Sequence, residues 1–159
     1  MNEKLTKVIE GLEATETRLE YSILTAIKVT RADREKTYSH PLLNFITIAA
    51  KWSLRGILQG KISPQQIYTP VDVAWMELDL KDARLMATAH KDGITDSIGY
   101  VDCADRIAQY LLELGFVTTW EQGYSYFEGW NILELVEFLP LVKEAEKKYI
   151  VSLQEKKVD

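Results

Sequence analysis

Four charged residues in one short stretch have the types and spacings that work on a phosphate group would use. Lys81 and Arg84 stand three apart, and Asp92 and Asp96 stand four apart, so on helices each pair shares a face. Arginine offers a two-pronged fork and lysine a compact point charge, both suited to phosphate oxygens. A pair of carboxylates can hold a hard cation such as Mg²⁺, whose remaining positions go to water and substrate phosphate. A plainer reading stands beside this one. Asp92 caps a helix and Asp96 adds favourable charge to its first turn, while Lys81 and Arg84 pair on a solvated face with Glu77, Asp82 or nearby acids.

A second group, Tyr38, His40 and Asn44, straddles a loop-to-helix junction, where side chains can reach a ligand; capping and turn chemistry is the alternative. Trp52, Trp75, Trp120 and Trp130 are expected in the core or at a subunit interface rather than as stacking platforms. Asp102 and Asp105 are expected to make surface or partner contacts. The strong signatures are missing. There is no Gly-rich phosphate loop, HExxH, paired CxxC or GxSxG, and His40 and His90 are the only histidines.

The elements that must position these residues are helices. Residues 2–30 carry apolar residues at three- and four-residue steps, which predicts either one long helix or an N-terminal arm followed by a first core helix. A loop over 30–41 ends at His-Pro, and Pro41 opens a buried helix that stops near Gly60. After a connector at 60–69, Thr69-Pro70-Val71-Asp72 predicts an N-cap, a proline at the first helical position and an acid in the first turn. That helix loses its pattern at His90-Lys91-Asp92-Gly93, and the next runs from Ile94 or Thr95 to Leu114, with Gly115 as its stop. Residues 116–130 predict a loop packed over the bundle or a short hairpin. Asn131 caps a last helix that Pro140 kinks or restarts, and the final EKKVD is expected to fray. The sum is a single all-α domain of four to five helices, with its core at about 19–114 and a C-terminal extension over 116–155.

Bulk properties narrow the function classes. At 159 residues the chain is long enough for one real core. A net charge of −5 without a basic run argues against nucleic-acid binding by phosphate neutralisation. The single cysteine, Cys103, permits no intrachain disulfide and is expected in the core. With no charged-then-apolar leader and no apolar run of about 20 residues, a cytoplasmic protein without membrane contact is expected.

The ordered motifs resemble a known group. R-x2-R-x3-Y-x-H-P-x2-N-F from Arg31 to Phe45, IAAKW at 48–52, TPVDVAWM at 69–76, LKDAR at 80–84 and D-x3-D-x2-G-Y from Asp92 to Tyr100 are similar to small phage and prophage proteins. These group with the MazG-like, all-α nucleoside triphosphate pyrophosphohydrolases. The resemblance, over about 22–114, implies a helical bundle assembled as a homodimer or homotetramer. It implies that Asp92 and Asp96 bind Mg²⁺, or Mn²⁺ in its place, with Glu77 as a further ligand or the base for water. Lys81, Arg84, Tyr38, His40 and Asn44 would bind the nucleotide. The expected reaction is hydrolysis of a (deoxy)nucleoside triphosphate to monophosphate and pyrophosphate, in the host cytoplasm if phage-encoded. Where that family carries an acidic cluster, this chain has Glu77-Leu78-Asp79 followed by Lys81 and Arg84. Two rivals therefore stand beside hydrolysis: a non-catalytic nucleotide-binding or sequestering phage protein, and a structural helical oligomer.

Overall fold

In the computed structural model, the structure describes residues 7, 24–26, 40–88 and 91–158, and all regular secondary structure among them is helical. Five helices follow in order: α1 Pro41–Leu58, α2 Pro70–Ala87, α3 Lys91–Glu113, the short α4 Trp120–Tyr124, and α5 Ile132–Val158. Residues 24–26 are also helical; the rest of the opening 2–30 segment, apart from Lys7, and the 30–39 loop with Tyr38 lie outside the described residues. The all-α expectation holds.

Most of these helices begin where the sequence provides a cap. His40 caps α1, its Nδ1 accepting from the Leu42 amide at 3.1 Å, with Pro41 in the first turn. Thr69 and Asp72 form a reciprocal capping box at α2: the Thr69 hydroxyl accepts from the Asp72 amide at 3.0 Å and the Asp72 carboxylate from the Thr69 amide at 2.8 Å. Asn131 and Glu134 repeat the arrangement at α5. Gly115, at φ +83, takes the left-handed position after α3, and the Phe116 and Gly115 amides bond back to the Leu111 and Leu112 carbonyls, which closes the helix in a Schellman turn.

Three boundaries differ from expectation. Helix α3 starts at Lys91, not Ile94, so Gly93 is a buried helical residue rather than a breaker; Asp92 lies in the first turn, where the helix dipole favours it. Residues 116–130 form turns and α4, not a hairpin. Helix α5 continues through Pro140 to Val158 without restarting, although the proline forgoes its amide bond there.

Leu42, Phe45, Ile46 and Ala49 of α1, Val71, Val73 and Ala74 of α2, and Cys103, Ile107 and Leu111 of α3 form one buried cluster with Phe127 and with Leu135, Phe138 and Val142 of α5. The C-terminal helix thus shares the core of the others. Cys103 is buried in the core, as expected. Helices α2 and α3 make the most extensive pairing, α5 packs on α1, and α4 packs on α3. The α3–α4 approach depends on Gly123, where a Cβ would run into the Ala108 carbonyl. The 60–69 connector is tied down at buried Ser53, whose hydroxyl accepts from the Tyr68 amide at 2.8 Å.

Candidate functional site

Helices α2 and α3 pair with each other, and one of the two cations meets one of the two carboxylates between them. Lys81 Nζ lies 2.9 Å from Asp96 Oδ2, with the two side chains only 22% and 19% exposed. One residue further along each helix, Ser97 Oγ donates to Asp82 Oδ1 at 3.2 Å. These two cross-links fix how α2 and α3 face each other. Glu77, one turn before Lys81, is half-buried, while Arg84 and Asp92 are exposed. Arg84 has no ion pair among the described residues and stands on the Lys81 side of α2.

The arrangement is short of acid. Asp96 is already engaged by the Lys81 ammonium, and no group of three or more His, Cys, Asp or Glu side chains able to hold a metal ion exists among the described residues. Glu77, Asp92 and Asp96 therefore do not fit a ready carboxylate cage for Mg²⁺, which needs several oxygens at near-octahedral positions.

His40 and Asn44 belong elsewhere. The His40 ring stacks on Tyr110 near the far end of α3, with ring centroids 3.8 Å apart and planes at 26°. Tyr110 stands fourteen residues beyond Asp96, about 21 Å along the helix axis. The hairpin charges and the α1 start are thus separate places. His40 already has a structural part: Nδ1 caps α1 and one ring face covers Tyr110. Burial first, and then the Arg106 charge, lower its pKa to about 3, so the imidazole is neutral at physiological pH. Tyr110 in turn donates to Glu146 Oε2 of α5 at 2.6 Å. Asn44, half-buried, lines a cleft of about 490 Å³ with Lys143, Glu146 and Lys147 of α5. Tyr38 lies outside the described residues.

Sequence reasoning missed Tyr110 and Glu146 as partners of the His40 motif. Their only local signal is placement on an inward helical face, because 70 residues separate His40 from Tyr110 and 36 separate Tyr110 from Glu146. None of the tryptophans is fully buried, and two of them meet the core expectation. Trp52 and Trp130 pack against the core. Trp75 donates from Nε1 to Tyr124 Oη at 2.8 Å and Trp120 to Asp105 at 2.9 Å, which also gives Asp105 an internal role.

No solved structure matches the chain. The Gene 55 protein of Mycobacterium phage D29 is 36% identical over 89 residues, covering 55% of this chain and 54% of that protein. The chain thus spans about half the length of this curated relative, and the likeness points to a phage protein family. The matching family model, Domain of unknown function (DUF6378), covers residues 22–108. That interval holds the α2–α3 hairpin, His40 and Asn44 but not Tyr110, Glu146 or α5. With more than half of its length in that match, the chain belongs to the DUF6378 family.

Proposed function

We propose that this chain is a phage nucleotide-binding protein of MazG-like descent, which grips the phosphates of a (deoxy)nucleoside triphosphate at the α2–α3 hairpin. The observation that carries this reading is the Lys81–Asp96 contact at 2.9 Å with Arg84, unpaired among the described residues, on the same side of α2. Asp96 takes one of the three donor directions of the ammonium and holds the long lysine side chain in place. Two donor directions remain for phosphate oxygens. Arg84 adds a planar fork, and charge-assisted bonds of this kind are the strong ones.

Binding without turnover fits the hairpin better than hydrolysis. A metal that drew on Asp96 would first have to displace Lys81, and separating a half-buried ion pair is costly. No catalytic step is therefore assigned to Glu77, Asp92 or Asp96. The exposed apolar residues Leu80, Met86, Ile94 and Val101 are the surface that a homodimer or homotetramer of MazG-like type would cover.

The test is calorimetric titration of the full chain with each nucleoside triphosphate, with and without Mg²⁺, alongside a pyrophosphate-release assay. Saturable binding with the nucleotide recovered unchanged supports sequestration. Mg²⁺-dependent pyrophosphate release that disappears in Asp96→Asn replaces it with the hydrolase reading. Absence of any triphosphate binding rejects both and leaves a structural oligomer.

A further inference from the structure

A groove of about 620 Å³ opens between the 60–69 connector, the first turns of α2 and the turn after α4. It is separate from the phosphate hairpin. Asp72 and Trp75 line it, and Lys81 lies about half a turn round α2 from Asp72 at about 100° per residue. The groove therefore lies on the far side of α2 from the charges that face α3.

Its walls combine aromatic faces with unused polar groups. Trp75 is 38% exposed, yet its indole is held by the bond from Nε1 to Tyr124 Oη at 2.8 Å, and Tyr124 is itself stacked on Trp120 at 5.3 Å. An exposed tryptophan fixed in this way is a preorganised flat surface. Trp130 lines the other side, set edge-on against buried Phe127 at 5.0 Å. Gln65 and Gln66 also line the groove, and their carboxamides make no hydrogen bond among the described residues. Asp72 uses Oδ2 in the capping box, and Oδ1 is left over. Each carboxamide supplies both donors and an acceptor.

From these features we infer that the groove binds a planar heteroaromatic ring of nucleobase type, stacked on Trp75 with its polar edge read by Gln65, Gln66 and Asp72. A mostly apolar, aromatic groove with a few polar groups is the usual form of a small-molecule site, and the volume accommodates a nucleoside. The Asp72 carboxylate disfavours a phosphate in the groove, so the ligand enters as an uncharged nucleoside or with its charge directed to solvent. This does not depend on the hairpin reading.

The probes are adenosine, guanosine, cytidine and thymidine, which lack phosphate, titrated into the full chain by calorimetry and tryptophan fluorescence. At least one should bind saturably. Trp75→Leu should weaken that binding by about tenfold or more, Trp75→Phe should keep it within about threefold, and Lys81→Ala should leave it unchanged. Each variant is checked for folding by thermal melting. If Trp75→Leu does not fold, Gln66→Ala decides, and unchanged affinity in it overturns the inference. So does failure of all four nucleosides to bind, affinity that survives Trp75→Leu, or loss on Lys81→Ala. Triphosphate binding with all nucleosides silent sinks the groove and spares the hairpin.

Discussion

His40 and Tyr110 lie ring on ring at 3.8 Å, and the same imidazole closes the start of α1 by accepting the Leu42 amide. Protonating His40 would place a charge in a half-buried site beside Arg106, and protonation at Nδ1 would remove the cap. The folded pKa of about 3 lies below the ordinary 6.5. Between these values the unfolded chain binds more protons, so stability rises with pH there. The contribution is fully present above about pH 6.5 and is lost as pH falls toward 3. Urea unfolding at about pH 7 and about pH 4.5 should show the fall, and His40→Asn, which keeps a capping oxygen, should show a shallower one. An unchanged slope in that variant would assign the acid sensitivity to other groups. At neutral pH the same variant should lose about 1 kcal/mol with the ring contact.

The Lys81–Asp96 pair joins α2 to α3 where both side chains are mostly shielded. Its removal should matter more than that of a fully exposed pair and less than that of a dry core pair. Lys81→Ala should therefore reduce stability by about 1–2 kcal/mol. A double-mutant cycle with Asp96→Ala should return a coupling energy of similar size, and additive effects would show that the contact carries no energy of its own. In triphosphate titrations Lys81→Ala should weaken binding by about tenfold, as expected for loss of a charge-assisted bond.

Gly123 packs against the backbone of Ala108. Because the obstacle is main chain and not the end of a flexible side chain, Gly123→Ala must push α4 away from α3, at about 1–3 kcal/mol. Thermal or urea unfolding measures the loss. A wild-type midpoint would show that α4 moves freely on α3.

Ser53 is fully buried and accepts the Tyr68 amide at 2.8 Å. Ser53→Ala removes the acceptor and strands that amide, which should cost about 1–3 kcal/mol. Hydrogen exchange at Tyr68 should accelerate if the bond anchors the connector. Nucleoside binding in the adjoining groove should weaken with it, because Gln65 and Gln66 ride on the same segment.

Local chemistry is legible in the residue order. The Thr69-Pro70-Asp72 start, the Asn131 cap and the Gly115 stop each depend on bonds spanning a few residues, and each appears where the residue types place it. The α3 start lies earlier than its sequence suggests because Gly93 resembles a breaker in isolation, and its burial within α3 is a consequence of packing.

What the residue order determined by itself was the helical class, most caps and the placing of Lys81 with Arg84 on one helix face and of Asp92 with Asp96 on another, since these depend only on helical period and bonds spanning a few residues. Only the tertiary structure decided that His40 serves as cap and ring partner for Tyr110, that Asn44 faces α5, and that Trp75 lines a groove instead of the core. Those relationships join residues tens of positions apart, and side-chain period carries no information about which distant face a helix will meet. The charge spacing could equally serve a metal or a salt bridge, and the tertiary contact places a lysine on Asp96.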